Sequence, residues 1–290
     1  MKYFKLHFTF EMAHIKDSRR KLFMKLAFST LGCPDWSWED MIVTAKDLGF
    51  DGIEVRGIEN ELHVPNARPF LPENIESTKA RLEKMNLKIP CLTSSCYLYD
   101  KCGISNHMNE GRQYIDLAHT LGVPYVRVLG DRNPEPGEGI DTGFVTENLS
   151  ALGDYAQGKG VKVLIETNGI FADSLEVRRC VERTGLKNVG ILWDIHHPFR
   201  YMNEPAAETY NNLKDYIKHV HIKDSKIENE KVRYKMMGYG DVPVAEVLEL
   251  LKKDNYEGYV TLEWVKRWCS DLEDPGVVFS HYINFVKDHC

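Results

Sequence analysis

Residues 189–199 read VGILWDIHHPF, and the rest of the fold can be worked out from this stretch. Its apolar run, GILW, is typical of a short strand that is buried on both faces of a parallel sheet. The run ends at Asp194, and His196 and His197 follow immediately. Such a strand carries carboxylate and imidazole groups, which metal ions bind, to one end of its sheet. The stretch therefore predicts a metal site at the carboxyl end of a parallel strand.

A short strand followed by an amphipathic helix recurs eight times from residue 25 onward. Eight consecutive units with no change in composition predict an α/β chain that folds as a single-domain (β/α)8 TIM barrel. A doubly wound sheet is the alternative, but it needs a glycine fingerprint in its first turn, which this sequence lacks. Long loops follow the predicted strands at 57–71, 130–142 and 223–243, on the barrel face that carries active sites. The predicted strands are 25–31, 51–55, 88–93, 125–129, 161–165, 189–193, 218–222 and 259–262, and the predicted helices are 36–48, 72–85, 107–121, 143–158, 174–183, 204–216, 244–253 and 275–289.

The composition is that of a soluble globular protein. The 290 residues are 43% hydrophobic and 28% charged, which is enough for one large domain with a buried core. The net charge of −6 argues against nucleic-acid binding, which usually requires a basic surface. The seven cysteines include no CxxC pair and form no recognisable disulfide framework, which indicates a reducing, cytoplasmic location.

Residues 1–23 differ from the sequence that follows them. An alternating segment, FKLHFTF, precedes a charged run, KDSRRK, and neither belongs to the strand–helix pattern. No continuous apolar segment follows the basic residues, so we expect neither a signal peptide nor a segment that spans a bilayer. We predict an N-terminal extension at 1–23 and a barrel domain at 24–290.

Three other predicted strands also end in residues that can bind metal. The fifth strand ends at Glu166 and the eighth at Glu263, while the seventh contains His219 and His221, of which we expect only one to face inward. In a closed barrel the last inward-facing residues of neighbouring strands converge, and three carboxylates this close repel one another unless a cation neutralises them. Mixed oxygen and nitrogen ligands suit Mn²⁺, Co²⁺, Zn²⁺ or Mg²⁺. We therefore predict one divalent metal ion, held by Glu166, Asp194, His221 and Glu263.

Five motifs on the last four predicted strands give the chain a family resemblance. They are LIETN at 164–168, WDIHH at 193–197, HVHIKD at 219–224, GYGD at 238–241 and TLEW at 261–264. In this order they resemble the sugar phosphate isomerase/epimerase family, the xylose isomerase-like TIM barrels, which also include DNA repair enzymes of the endonuclease IV type. The resemblance to the ketose 3-epimerase branch implies that the four predicted ligands bind a single metal ion. It also implies that Glu166 and Glu263 are the acid/base pair and that His197 binds substrate.

The chemistry of these residues agrees with that assignment. A metal ion that chelates a substrate carbonyl and the neighbouring hydroxyl acidifies the carbon-bound proton and stabilises the enediolate that forms. Glu166 and Glu263 would flank the sugar carbon, so that one removes the proton and the other returns it, which inverts the centre. A base that moves the proton between adjacent carbons gives aldose–ketose isomerisation instead. His197 would donate a hydrogen bond to the oxygen on which negative charge builds.

Cationic and aromatic side chains near the strand ends are candidates for substrate binding. The cations suit a phosphate group, but salt bridges to nearby acids explain them equally well, so phosphorylated and free sugars both stay open. The tryptophans suit the C–H face of a sugar, with ordinary core packing as the equal alternative. The predicted substrate-binding residues are His197, Arg127, Lys223, Trp264 and Arg267, and the further candidates are Arg56, Arg132, Trp36 and Trp268.

One position departs from the ketose 3-epimerase pattern. Epimerases of that branch carry an arginine six residues after the strand-seven histidine, where this chain has Ile227. Chemistry like that of inosose dehydratase or hydroxypyruvate isomerase therefore stays open, with the same glutamates serving in β-elimination of water. The endonuclease IV branch needs three metals and extra histidines, and Leu92-Thr93-Ser94 supplies none of them.

The sequence thus predicts a divalent-metal-dependent sugar or sugar phosphate isomerase or epimerase, with Mn²⁺ favoured over Zn²⁺, Co²⁺ and Mg²⁺. The alternatives are a metal-dependent dehydratase of a polyol ketone and a non-catalytic sugar-binding barrel. A small sugar is the expected partner, without nucleic acid or membrane, and assembly into a homo-oligomer stays open.

Overall fold

The computed structural model describes residues 24–289, and in this range eight parallel strands form a barrel surrounded by helices. The predicted extension at 1–23 lies outside the described residues and stays a prediction. The strands are β1 (Lys25–Ser29), β2 (Gly52–Glu54), β3 (Cys91–Tyr97), β4 (Tyr125–Leu129), β5 (Lys162–Glu166), β6 (Val189–Asp194), β7 (Ile217–Ile222), β8 (Asp224–Glu228), β9 (Lys231–Lys235) and β10 (Tyr259–Leu262). The helices are α1 (Trp38–Leu48), α2 (Ile75–Met85), α3 (Ile104–Leu121), α4 (Thr142–Ala156), α5 (Ser174–Thr184), α6 (His196–Tyr201), α7 (Ala206–Leu213), α8 (Val244–Lys253) and α9 (Pro275–His289).

The parallel strands close into a complete ring. Hydrogen bonds join them in the order β2-β1-β10-β7-β6-β5-β4-β3. Parallel bridges from Gly52 to Lys88 and from Val55 to Leu92 then connect β2 to β3. The predicted single-domain (β/α)8 barrel is confirmed, and the carboxyl ends of all eight strands lie at one rim.

Local sequence determines where several helices begin. Ser37 caps α1, because its Oγ accepts a hydrogen bond from the main-chain N of Asp40 at 3.2 Å and the Asp40 carboxylate accepts one from Ser37 N. The prediction of one helix at 204–216 was wrong in its extent. The structure has the short helix α6 directly after β6, and α7 begins only after Pro205, whose fixed φ and missing N–H favour a helix start.

The predicted loop at 223–243 contains a β-hairpin that the sequence analysis missed. β8 and β9 pair antiparallel, and Asn229 and Glu230 form the turn with φ of 51° and 63°. Positive φ at both central residues is typical of the tight turns that join hairpin strands. The outer parts of both strands are exposed and charged, so they lack the apolar alternation from which a strand is usually predicted.

A small apolar cluster fills the barrel interior below the rim. Cys91, Leu164 and Leu192 form this cluster, separately from the main core between strands and helices. Leu164 and Leu192 lie two residues before Glu166 and Asp194 on the same strands, so the acidic pair forms the next layer toward the rim. None of the helices in the described range is long and apolar enough to cross a membrane.

Candidate active site and metal centre

The four predicted metal ligands converge at the carboxyl ends of four neighbouring strands. Glu166 ends β5, Asp194 ends β6, His221 lies on β7 and Glu263 directly follows β10. One ligand atom from each residue lies within 4.8 Å of the others. All four are buried, with between 0% and 6% of each residue exposed. The parallel register of β6, β7 and β10 produces this convergence, since it pairs Asp194 and His221 directly.

The imidazole of His221 is held in one orientation by an acid from the opposite side of the barrel. Its Nε2 lies 2.7 Å from Oε2 of Glu54 on β2. Its Nδ1 is buried, forms no well-aligned hydrogen bond within the described residues, and faces Oε1 of Glu263 at 3.4 Å and Oε1 of Glu166 at 3.9 Å. A nitrogen without a hydrogen bond that is surrounded by carboxylate oxygens is a suitable metal ligand, and a carboxylate on the second nitrogen typically orients such a ligand.

Both histidines of β7 face the barrel interior. Nε2 of His219 lies 2.8 Å from the same Glu54 oxygen that binds His221. The expectation that only one of the two faces inward was therefore wrong, because side chains two residues apart on a strand share a face. Although burial acts in the opposite direction, His221 and His219 lower the pKa of Glu54 to about 2. The pair thus stabilises a negative charge deep in the barrel.

Lys223 lies among the predicted metal ligands and not only on the wall of the substrate cavity. Its Nζ contacts the carboxylates of Asp194 and Glu263. Burial alone would lower the pKa of Lys223, but Asp194 and Glu263 raise it well above its usual value. Lys223 follows His221 by two residues, so it also points inward and adds a cation to the acidic cluster.

The two glutamates of the predicted acid/base pair have opposite pKa shifts. Burial, supported by Glu263, raises the pKa of Glu166 to about 7, although Arg127 opposes the change. Burial would also raise the pKa of Glu263, but Lys223 and His221 hold it well below the usual range. Two carboxyl groups with such different environments suit the separate roles of proton donor and proton acceptor.

Arg127 supports Glu166 from below the rim. Its Nε lies 2.9 Å from Oε2 of Glu166, and its Nη1 donates a hydrogen bond to the main-chain oxygen of Ser94 at 2.7 Å. Arg127 is 4% exposed and lines the cavity, but its charge is matched by the glutamate. Arg127 therefore positions a candidate catalytic group, and it also lines the cavity in which we predicted it to bind substrate.

A cavity of about 320 Å³ opens above the acidic cluster. A groove of about 640 Å³ beside α1 contains none of the predicted site residues, so size alone does not identify the site. The cavity above the cluster combines apolar, aromatic and charged walls, as small-molecule sites usually do. Its lining includes the predicted residues Glu166, Glu263, His197, Arg127 and Lys223, the further candidates Arg56, Arg132 and Trp268, and the unpredicted residues Tyr97, Asn168 and Tyr234.

His197 lies in the cavity wall with one nitrogen already engaged. Its Nδ1 lies 2.9 Å from the main-chain oxygen of Thr167, and because a carbonyl can only accept, Nδ1 carries the proton. Burial lowers the pKa of His197 to about 4, so the ring is neutral near pH 7 and Nε2 has no proton. In this neutral form Nε2 is a hydrogen-bond acceptor, so the predicted role of His197 as a donor would require the protonated ring and stays a prediction.

Two predicted substrate-binding residues do not reach the cavity. Trp264 is 1% exposed, and its Nε1 donates to the main-chain oxygen of Glu273 at 3.1 Å. It follows the inward-facing Glu263, so its own side chain turns outward into the core. Arg267 lies outside the cavity lining as well, and only Trp268 among the three candidate tryptophans lines it.

Glu54 is the main site residue that the sequence analysis missed. It ends β2 as Glu166 ends β5, so the rule that an acid ends an inward-facing strand applies to it equally. Its contact with His221 joins positions 167 residues apart, which no local pattern reveals. Tyr234 was missed because it lies on the unpredicted hairpin strand β9.

Comparison with known proteins agrees with the barrel fold. A sequence profile of the family described as "Xylose isomerase-like TIM barrel" matches residues 42–287. The chain is 26% identical over 266 residues to 3-dehydro-D-guloside 4-epimerase of Escherichia coli K12, covering 83% of this chain and 91% of that protein. It is 25% identical over 224 residues to inosose dehydratase of Clostridium botulinum, covering 66% of this chain and 74% of that protein.

A solved structure shares the fold. The crystal structure of the IOLI protein with a bound zinc atom superposes with a TM-score of 0.74 at 18% identity, covering 92% of this chain and 99% of that one. From the profile match over most of its length, the chain belongs to the xylose isomerase-like TIM barrel family.

Proposed function

We propose that this protein is a divalent-metal-dependent sugar or sugar phosphate epimerase or isomerase. The observation that carries the proposal is the convergence of Glu166, Asp194, His221 and Glu263 within 4.8 Å, directly below a cavity of sugar size. The match to the epimerase relative covers 91% of that protein, and it supports the reaction class.

The donor atoms fit a divalent cation. Three carboxylates and the free Nδ1 of His221 form a mixed oxygen and nitrogen set, which suits Mn²⁺ first and also Zn²⁺, Co²⁺ and Mg²⁺. A cation held by these residues supplies Lewis acidity, which makes a proton on the carbon next to a substrate carbonyl easier to remove. The zinc in the IOLI structure supports a metal in a barrel of this fold.

Glu166 and Glu263 move the proton in this proposal. Glu166, whose pKa is raised by burial, is the proton donor of the pair. Glu263, ionised beside Lys223, removes the proton from one face of the substrate carbon. Glu166 delivers a proton to the opposite face, which inverts the carbon and leaves the composition of the substrate unchanged.

The cavity wall orients the sugar for that transfer. His197 accepts a hydrogen bond from a hydroxyl through Nε2, and Arg127 keeps the Glu166 carboxylate in place. Trp268 presents an aromatic surface to the C–H face of a ring or chain. Trp264 and Arg267 take no part, because neither lines the cavity.

Dehydration of a polyol ketone is the second candidate reaction. Ile227 replaces the arginine of the ketose 3-epimerase pattern and is 51% exposed on the hairpin, so no cation is supplied from that position. The inosose dehydratase relative belongs to this reaction class. A glutamate would then remove the proton next to the carbonyl, and the neighbouring hydroxyl would leave with a proton as water.

Incubation in D₂O with a panel of ketoses, keto-glycosides and their phosphates separates these reactions. The protein is first loaded with Mn²⁺, and product mass and carbon position of the label are measured. Epimerisation or isomerisation is expected to give a product of unchanged composition with one deuterium on the carbon that reacted. Loss of water identifies a dehydratase instead.

A metal-loaded protein that incorporates no deuterium from any member of the panel but still binds sugar would support the non-catalytic barrel. Cleavage of duplex DNA at abasic sites, with several metals per chain, would instead place the protein with the repair enzymes. Either result would overturn the proposed reaction.

A further inference from the structure

We infer that the substrate of this cavity carries an anionic group, a carboxylate or a phosphate, and that Arg56 binds it. The inference rests on the proposed function only in taking the cavity above the acidic cluster as the substrate site. It adds a chemical class of substrate that the fold and the metal ligands do not specify.

Arg56 is a buried cation that is fixed beside the cavity. It lies two residues after the end of β2, is 5% exposed, and lines the cavity wall. Its main-chain N donates to Oγ1 of Thr30 at 2.9 Å, and its Nη2 donates to Oγ of Ser95. The Trp268 ring lies 5.9 Å from its Cζ, within the range of a cation–π contact. These contacts hold the guanidinium in one place.

No carboxylate among the described residues forms an ion pair with Arg56, although the negative charge of Glu110 lies near it. Its Nη1 is buried without a hydrogen-bond partner, and Ser95, which receives Nη2, is neutral. Glu110 lies in the same region, but its Oε1 accepts the main-chain N of Ser95 at 2.6 Å. Together with burial, the nearby positive charge of Arg127 lowers the pKa of Arg56. A buried guanidinium in these surroundings is costly unless something supplies the missing negative charge.

Unlike Arg56, the other buried cations of the cavity contact carboxylates. Arg127 forms an ion pair with Glu166, and Lys223 contacts two carboxylates. Arg132, which is exposed at the cavity wall, adds positive charge at the entrance. A substrate oxyanion placed against Arg56 would form charge-assisted hydrogen bonds, for which the planar guanidinium is well suited.

A matched series of unreactive ligands tests this inference. Erythritol, erythronate and erythritol 4-phosphate differ only in whether the chain end is neutral, a carboxylate or a phosphate. Titration calorimetry of the Mn²⁺-loaded full chain measures their dissociation constants, and comparison of the two anions shows which is preferred. We expect at least one anion to bind roughly tenfold or more tightly than erythritol, since hydrogen bonds to charged groups have about that effect.

Variants decide whether Arg56 is responsible, because a hydroxy acid can also chelate the metal directly. Arg56→Gln should abolish the preference for the anion over erythritol, while Arg56→Lys, which keeps the charge, should retain part of that preference. Arg183→Gln, an exposed arginine on α5, is the matched control and should change nothing. If Arg56→Gln does not fold, Arg56→Lys still tests the inference, because an ammonium group cannot form the two parallel hydrogen bonds of a guanidinium.

Equal binding of all three ligands by the wild type would overturn the inference, as would an anion preference that survives in Arg56→Gln. The result is independent of turnover. An Arg56-dependent preference without any deuterium incorporation would support the anion site and remove the proposed reaction, whereas incorporation from neutral sugars alone would do the reverse.

Discussion

The two halves of the barrel rim carry opposite charge. Strands β5, β6 and β10 supply Glu166, Asp194 and Glu263, whereas β2 and β4 supply Arg56 and Arg127. The acidic half is shaped to hold a cation, and Lys223 already contacts two of its carboxylates. Within residues 24–289, the guanidinium of Arg56 in the basic half forms no ion pair with a carboxylate. Under the proposed function, this difference places the reaction in one half of the rim and recognition of the substrate in the other.

The acidic half should show the largest effects of mutation. Glu166→Gln and Glu263→Gln each keep the size of the side chain but remove its ability to transfer a proton. We expect each to lower turnover by roughly 10²–10⁴-fold, the usual contribution of a positioned acid or base. Rates of product formation with a reactive sugar from the D₂O panel measure the loss. A near-normal rate in either variant with metal bound would show that the acid/base assignment is wrong.

Changes to the other two ligands should act on metal binding first. Asp194→Asn and His221→Ala each remove one of four donors, so we expect metal affinity to fall by more than roughly 100-fold, beyond the effect of losing a supporting residue. Equilibrium dialysis against Mn²⁺ provides the measurement. Unchanged affinity in both variants would separate these residues from the metal site.

Glu54 links the two halves and should have an intermediate effect. Glu54→Gln weakens the hold on His221, whose Nδ1 would then face the carboxylates less reliably, and supporting residues of this kind usually change metal affinity by roughly 10–100-fold. Dialysis against Mn²⁺ measures this change independently of activity. Glu83→Gln on the exposed face of α2 is the matched control. Equal affinities of the two variants would remove Glu54 from the site.

Trp268, in the cavity wall, should show the smallest effect on binding, and the buried Trp264 should act on stability instead. Trp268→Ala is expected to weaken sugar binding by roughly 2–10-fold, the contribution of one aromatic contact, with little change in stability. Trp264→Ala should instead lower the free energy of unfolding by about 3–5 kcal/mol, because it removes a buried side chain from the core. Sugar titrations and thermal unfolding of both variants check the contrast, and the opposite pattern would contradict it.

The acidic half could be predicted from sequence more completely than the basic half. Each acid ends a strand, and the closure of a barrel brings strand ends together whatever the loops do. Lys223 was assigned to substrate, because the sequence does not show that its ammonium turns toward Asp194 and Glu263. In the sequence, Arg56 is one of several equivalent candidates for binding an anion. In the structure, its burial and the lack of a hydrogen-bond partner for its Nη1 distinguish it.

The errors share a physical origin in the direction of side chains. The prediction pointed His219 away from the barrel interior and Trp264 toward it. The structure shows the reverse, in agreement with the two-residue alternation of side chains along a strand. The tautomer of His197 depends on its contact with the Thr167 carbonyl, which only the folded chain reveals. Local sequence predicts where strands end, whereas the partners of each side chain depend on the whole barrel.

Metal content per chain is the most direct test of the account. Wild-type protein, Arg56→Gln and Asp194→Asn would be stripped with a chelator, dialysed against Mn²⁺ and analysed by elemental mass spectrometry. We predict one ion per chain in the wild type and in Arg56→Gln, and loss of that ion in Asp194→Asn. Absence of bound metal from the wild type, or the same content in Asp194→Asn, would contradict a metal centre formed by the acidic half of the rim.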